Sequence, residues 1–427
     1  MATLCEVASL NNASLPLEGV KVCVLSTIPI STSRIVNRQC LGMVRAGATV
    51  TLISGNPHEG SKDKFRMRHF GCRPSAIGRL VSSPAILVPA LAERADIYHV
   101  HTFQLVPIAL VLKVAFRKHV IYDMFEDFPS MVLTRPWRPQ WLRSLISRGV
   151  HAVESIACRS LDAVITADSS VLRQYVKKGA RYRKSRRRMV FYNFPSLDVF
   201  FRGASVQSRG APKIYDIVYS GGMSERTGTF VLLQAVTRLA QTGIRPRVLM
   251  FGYSDKPTFA SEFMELARRN GIEDCFELLG RLPHEQVPEM LMRARIGVVP
   301  LQPIPKFLKN IPTKIFEYWA CGLPVVASDL PPIRPFFRRG QYGYLVDPES
   351  PEQFAEAVAR LLQNQPTAER MGAAARQAVI TRLNVMPEQK KLIRLYKQIL
   401  NRREHTWLAS EYAVARTVLS GHRTGAE

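Results

Sequence analysis

Short apolar runs, each followed by a helical pattern, alternate along nearly the whole chain in two blocks, and this alternation limits the fold more than any other feature. In the first block the runs are residues 20–26, 48–54, 96–101, 119–123, 163–167 and 188–193. In the second they are residues 215–221, 247–252, 276–280, 295–301, 324–328 and 343–347. Runs this short and this apolar suit strands buried on both faces, as in parallel sheets. Helical periodicity fills the gaps, notably over 33–46, 229–241 and 260–270. Two such blocks predict two doubly wound, Rossmann-like α/β domains. The polar stretch 200–213 contains glycine, has no clear period and reads as the linker. Beyond Asp347 the chain turns helical, with patterns over 351–363, 368–380 and 388–400. The expected domains are therefore 1–205, 210–384 and a helical tail 385–427, whose tip from His422 is expected to fray.

A chain of 427 residues suits two domains, and 46% apolar with 22% charged residues is globular rather than disordered composition. The formal net charge of +25 favours anionic partners such as nucleic acid, acidic lipid or a phosphorylated substrate, although a basic surface can also serve solubility alone. Seven cysteines, an odd number without a C-x-x-C pair, argue for a reducing compartment and against a zinc or disulfide framework. The N-terminus lacks a basic region followed by a long apolar stretch, so no signal peptide is expected. The apolar stretches 84–92 and 105–116 fall short of the roughly 18 residues a spanning helix needs. The expected location is cytoplasmic, with any membrane contact peripheral.

Ligands of open α/β sheets bind beyond the carboxyl ends of the strands. Two segments at such ends carry chemistry. In SGGMSERTG (residues 220–228) the glycines allow backbone to approach a phosphate, the following helix offers N–H groups, and Arg226 can pair with a diphosphate. A glycine pair in a strand–helix turn equally describes an ordinary turn. In KNIPTKIFEYWACGLPVVASD (residues 309–329), Asn310, Pro312 and Thr313 precede a short helix whose positive end would face the ligand. Lys314 and Glu317 share a face of that helix. A carboxylate there can accept from two vicinal ribose hydroxyls, while the spacing also fits a plain i,i+3 ion pair.

The second segment, PTKIFEYWACGLPVVASD, resembles the nucleotide-sugar site of family 4 retaining glycosyltransferases of the GT-B fold. The similarity extends to YSGGMSERTG, LLGRLPHEQVPEML and GYLVDPESPEQFAEAVARLL. In the first block it extends to HVHTFQLVPIAL, VIYDMFEDFP and VFYNFP. The resemblance implies a GT-B architecture whose C-terminal helix returns to the first domain. It implies that Glu317 holds the donor ribose, that Arg226 neutralises the diphosphate, and that Lys314 lies near phosphates or sugar. Gly222 and Gly280 would bring backbone close to the nucleotide, with Arg281 and Leu282 near the base. Asn310 and Thr313 would contact the sugar phosphate.

Three positions depart from the family pattern. Lys309 stands where the first acid of E-x7-E falls and cannot accept a hydrogen bond. Thr227 separates Arg226 from Gly228. Phe125 replaces the histidine of Y-D-x-H-E, leaving His99, His101 or Glu126 to cover its role. His101, Glu126, Arg226 and Lys314 are therefore the candidate catalytic residues. The expected reaction is retaining transfer of a hexose from a nucleotide diphosphate to a hydroxyl of a polysaccharide or lipid-linked acceptor. A catalytically weakened GT-B binding module is the alternative. Fixed cations aimed at the diphosphate can do this without a metal, and the chain contains neither D-x-D nor a His/Cys cluster at ligand spacing. No G-x-G-x-x-G follows the first strand, which speaks against a nicotinamide enzyme.

Eight of the twelve residues from Lys177 to Arg188 are Lys or Arg, and the basic stretch from Arg135 to Ile156 carries Trp137, Trp141, Leu142, Leu145 and Ile146. Such segments suit an interfacial helix on acidic lipid, or else a packed helix and a solvated loop. No recognition motif for nucleic acid accompanies them.

Overall fold

A computed structural model describes residues 15–28, 34–55, 65–73, 75–134, 139–176, 187–202, 212–254, 256–337 and 340–400. Most of the basic cluster 177–188, Trp137, most of the linker 200–213 and the tail from residue 401 lie outside them.

Two sheets organise the chain. The first holds β1 (Lys21–Ser26), β2 (Thr49–Ser54), β3 (Arg66–His69), β4 (Ile97–His101), β5 (His119–Met124), β6 (Ala163–Thr166) and β7 (Arg187–Val190), in the order β3-β2-β1-β4-β5-β6-β7. The second holds β8 (Tyr215–Gly222), β9 (Val248–Tyr253), β10 (Phe276–Leu279), β11 (Ala294–Val299), β12 (Val325–Ser328) and β13 (Gly343–Val346), in the order β10-β9-β8-β11-β12-β13. All pairings are parallel. Strand order reverses beside β1 in one sheet and beside β8 in the other, the positions where such sheets receive ligands.

Among the described residues the chain divides into two compact units. One takes the residues up to Phe128, Arg148–Phe191 and the last helix from Glu388; the other takes Pro129–Ser147 and Tyr192–Pro387. Grouping by contact thus interleaves segments that the linear limits 1–205, 210–384 and 385–427 keep apart. The last helix, Val385–Leu400, does return to the first unit. There Gln389 Nε2 donates to Arg38 O at 2.8 Å, and the Tyr396 hydroxyl lies 2.6 Å from His99 Nδ1.

Alternation along β8 explains why both faces of the second sheet are dry. Ile217 and Tyr219 enter one apolar cluster while Val218 enters the other. Helices Thr229–Gln241 and Phe259–Arg269 cover the first of these faces through Leu232, Val236 and Phe263. The edge strand β3 was not foreseen. Its sequence RMRH is mostly exposed and has no apolar run, as suits a charged edge that resists further pairing. The expected helix 33–46 forms as one continuous run, π-helical over Arg34–Cys40 and α-helical over Leu41–Arg45. Among the described residues no helix is long and apolar enough to cross a membrane.

The first unit buries one carboxyl deeply. Glu154 has no exposed surface and accepts from the hydroxyls of Tyr122, at 3.0 Å, and Tyr175. Burial pushes its pKa up to about 7, against the opposing effect of the two hydroxyls. A carboxyl held protonated in the fold but ionised in the unfolded chain contributes stability that is full below its unfolded pKa and declines as pH rises toward 7. Glu154→Gln should therefore gain stability relative to the parent between pH 5 and pH 7, by up to about 1.4 kcal/mol per pH unit. Urea denaturation across that range checks it; parallel pH profiles for the two proteins would contradict it.

Candidate functional site

The second unit brings Gly222, Arg226 and Lys314 to the carboxyl end of β8. Gly221 there has φ of +119°, and its neighbour Gly252 at the end of β9 has φ of +146°. A Cβ on Gly252 would stand 1.8 Å from Gly221 O, so the two strand ends meet backbone to backbone. Beyond β8 the chain makes a tight turn, Glu225–Thr227, closed by a capping box between Ser224 and Thr227. Thr227 Oγ1 donates to Ser224 O at 2.9 Å, and Ser224 N donates to Thr227 Oγ1 at 3.0 Å. This accounts for the residue between Arg226 and Gly228: its hydroxyl builds the turn. Gly228, at φ of +74°, then opens helix Thr229–Gln241, which has no side-chain cap. Its first-turn N–H groups are thereby left without a side-chain acceptor at the cap. Arg226 is half-buried in this turn, and its carbonyl accepts from Gln302 N at 3.1 Å, tying the loop to the end of β11.

Helix Lys314–Ala320 supplies the facing wall. Tyr318, fully buried, accepts from Ser220 N at 2.7 Å and lies 3.1 Å from Ser220 Oγ, which clamps the last turn of β8. Burial pushes its phenol well up, so it stays neutral. One turn earlier Lys314 extends its Nζ over the Tyr219 ring, 4.1 Å from the centroid. A Cβ on Gly221 would come within 3.1 Å of that Nζ, so the glycine leaves the ammonium room at the strand end. Lys314 makes no ion pair among the described residues, so the i,i+3 pair with Glu317 is not formed. Nor does Arg226 have an acid partner there. Two cations beside glycine backbone, uncompensated by carboxylate, suit an anionic ligand.

The remaining donor candidates lie on nearby segments of the second unit. Gly222 lies beside Tyr253; a Cβ there would meet the Tyr253 ring at 3.7 Å. Gly280 and Arg281 are exposed, and Gly280 O accepts from Gly252 N at 3.2 Å. Thr313 stands at the helix N-cap with its hydroxyl not used for capping. Glu317 is half-buried on the same helix. Asn310 Oδ1 is buried with no hydrogen-bond partner, an acceptor placed at cost unless a donor arrives. Lys309 Nζ donates to Ser130 Oγ at 2.8 Å, so the residue in the place of the family's first acid is engaged within its own unit. Tyr219 and Tyr318 were not singled out from sequence. Only the motif position of Tyr318, four residues after Lys314, could have hinted at a shared helix face.

The first unit carries a separate polar cluster at the ends of β4 and β5, where His101 pairs in register with Asp123. Arg34 Nη2 and Nε contact the two Asp123 oxygens at 2.8 and 3.1 Å, and Gln39 Nε2 donates to Asp123 Oδ2 at 2.6 Å. Burial alone would push the Asp123 carboxyl up; the Arg34 guanidinium overrides this and holds it well below the usual carboxylate range. His101 stacks on His99 with centroids 4.6 Å apart. Burial, then the neighbouring His99, lowers the His101 pKa well below its ordinary value, so the ring is neutral. His99, His101 and Asp123 each offer an atom within 4.8 Å of the others. The donor set suits a metal poorly, because Arg34 and Gln39 already occupy the carboxylate and a guanidinium opposes a second cation. His101 is completely buried, whereas Glu126, two residues past β5, is half-exposed. Phe125 packs edge-on against Phe128.

Two parallel doubly wound sheets, with a glycine-rich, cation-bearing turn after the first strand of the second, are the features expected of a GT-B glycosyltransferase. Known proteins agree. Glycosyl transferases group 1 matches residues 205–378, and the glycosyl transferase 4-like domain matches residues 32–192. The chain is 26% identical over 178 residues to the amylovoran biosynthesis glycosyltransferase AmsK of Erwinia amylovora, covering 42% of this chain and 43% of that protein. It is 24% identical to glycogen synthase of Mycobacterium tuberculosis, covering 86% of this chain and 84% of that one. Among solved structures, sucrose-phosphate synthase from Thermosynechococcus elongatus superposes with a TM-score of 0.70 at 19% identity, covering 89% of this chain and 99% of that one. Anabaena HepE in complex with UDP and glucose gives 0.65 at 15%, covering 89% and 100%. The chain belongs to the GT-B glycosyltransferases of the group 1, family 4 type, and it is a glycosyltransferase.

Two substitutions test how the site is built. Gly228→Ala would place a Cβ 1.6 Å from Pro300 O at a positive φ, and should cost about 2–4 kcal/mol of stability. Tyr318→Phe leaves Ser220 N without its acceptor and should cost about 2 kcal/mol. Denaturant melts measure both; an unchanged midpoint for either would contradict the geometry.

Proposed function

We propose that this glycosyltransferase moves a hexose, with retention, from a nucleoside diphosphate to a hydroxyl of a polysaccharide or lipid-linked acceptor. The observation that carries the reading is the Lys314 ammonium held over Tyr219 beside Gly221, with Arg226 in the adjoining turn and, among the described residues, no acid paired to either. Cleaving the sugar–phosphate bond leaves positive charge on the ring and negative charge on the diphosphate. Cations already in place stabilise that separation without reorganising, so this reading needs no metal. Gly222, Gly280 and Arg281 line the nucleotide, Asn310 and Thr313 offer polar contacts to the sugar phosphate, and Glu317 accepts from the ribose hydroxyls. The UDP-glucose complex of HepE and the glycogen synthase relative support a nucleoside diphosphate hexose as donor. AmsK and the putative colanic acid biosynthesis glycosyltransferase WcaL support a glycan acceptor. Glu126 and His101 are assigned the part of the family histidine that Phe125 replaces, and Glu126 is the one with exposed surface. We also propose a cytoplasmic location with peripheral contact to anionic membrane through the stretches Arg135 to Ile156 and Lys177 to Arg188. On the helix Gln140–Ser160, Trp141 and Leu145 are 69% and 59% exposed, which supports the first of these.

A second reading has specific support. With Phe125 packed on Phe128 and Lys309 engaged by Ser130, two family contacts to the sugar are replaced, as in a binding module with weakened turnover. A panel of nucleoside diphosphate sugars screened by thermal shift, then by release of nucleoside diphosphate, separates the two. Arg226→Ala and Lys314→Ala should each lower kcat/KM about 10²- to 10³-fold. Glu317→Ala should chiefly raise the donor KM. Donor turnover left intact by both Arg226→Ala and Glu317→Ala would remove the assigned site.

A further inference from the structure

β9 ends on an aromatic side chain that stays outside the core. Tyr253 is 58% exposed, and among the described residues its hydroxyl makes no hydrogen bond and its ring stacks on no other aromatic. A lone exposed tyrosine needs no explanation, but the anchoring of this one does. Its carbonyl accepts from Met223 N at 2.7 Å, across to the turn after β8. The preceding Gly252 donates from its N–H to Gly280 O at 3.2 Å, across to the end of β10. The backbone here is thereby tied on both sides, and Gly252 takes the φ of +146° that a side chain would resist. From this root the ring reaches back over β8. Its Cζ and hydroxyl lie 3.7 and 3.8 Å from where a Cβ on Gly222 would stand, so the ring rests against bare backbone. The root is fixed and the side chain is open, which is the condition of a contact built before its ligand arrives.

Position in the sheet says which part of a ligand meets the ring. β9 lies between β8 and β10. The cations Lys314 and Arg226 stand at the end of β8 and in the turn that follows it, whereas Gly280 and Arg281 follow β10. Neighbouring strands are about 4.8 Å apart, so β8 and β10 are separated by about 10 Å. A ligand with its phosphates at the β8 end and its far end beside Gly280 therefore crosses the end of β9. Tyr253, in register with Gly222, is the side chain at that crossing. The cations hold the diphosphate, so the portion that falls on the ring is the nucleoside. Its base is flat, and stacking on an aromatic ring serves any base because each has a π-face.

We infer that Tyr253 is the platform on which the nucleobase of the donor stacks, its ring and not its hydroxyl supplying the affinity. The inference rests on the donor site proposed above and adds to it a contact from a strand that carries none of the residues named there. Calorimetric titration of the full-length protein with UDP, ADP and GDP tests it. For each nucleotide that the parent binds, Tyr253→Ala should weaken binding about tenfold. It should raise the donor KM to match, with a much smaller change in kcat. Tyr253→Phe keeps the ring and should restore binding. Tyr253→Leu fills the space over Gly222 without a π-face and should fall with Tyr253→Ala. All three should keep the parent Tm, since the side chain is exposed, and inorganic pyrophosphate should inhibit them as it does the parent. If Tyr253→Ala binds like the parent while Lys314→Ala loses affinity, the inference fails and the donor site stands. If the parent binds none of the three nucleotides, the donor site itself fails. Binding by Tyr253→Leu at the parent level would make the side chain mere packing. Equal loss of pyrophosphate and nucleotide would place its effect at the phosphates, and either result overturns the stacking role.

Discussion

Backbone-to-backbone contact at three strand ends is the constraint on which the donor site depends. β8 and β9 close together through Gly221 and Gly252, and the turn after β8 touches the end of β11 through Gly228 and Pro300. No side chain fits at Gly252 or Gly228, because its first carbon would overlap a carbonyl oxygen. These contacts leave room for a phosphate-sized ligand to approach peptide N–H groups rather than side chains, and they sit where the sheet reverses its order. Tyr318 extends the same logic from the opposite side. Its hydroxyl holds Ser220 N, and its ring packs where Gly297 offers no Cβ, since one there would stand 2.4 Å from the ring.

Once the backbone is set, placement of charge follows. Lys314 is one helical turn from Tyr318, so the helix that clamps β8 also aims the ammonium at its end. An aromatic face under the ammonium holds it without neutralising it. A carboxylate in that position would have spent the charge within the fold. The first unit shows the opposite arrangement. There Arg34 meets Asp123 in full burial, with Gln39 on the same carboxylate, and the cluster satisfies itself. One group of cations is left open to a ligand; the other cements the ends of β4 and β5 to the segment that follows β1.

The fold was legible where burial is two-sided. Eleven of the strands now seen coincide closely with the runs that apolar character marks, and β7 starts only one residue before its predicted run. β3 was invisible because an exposed edge strand needs no apolar residue, and RMRH has only one. The helix predicted over 33–46 formed, but its first half is wound as a π-helix, where Arg34 is buried against Asp123, 89 residues away. Periodicity reports which face of an element is dry. It does not report a polar side chain drawn inward by a distant partner.

Within the site the same division holds. Glycine pairs and the KIFEY helix lie in consecutive or near-consecutive residues, so residue order alone pointed to the family. The companions of those residues had to await the tertiary structure. Tyr219 under Lys314, Tyr318 on Ser220 and Ser130 on Lys309 all join residues whose relation is not written locally. Chain order specifies local geometry through short-range sterics and periodicity, whereas which side chains meet across tens of residues, and which apolar ones meet nothing, is settled only when the sheets stack their helices.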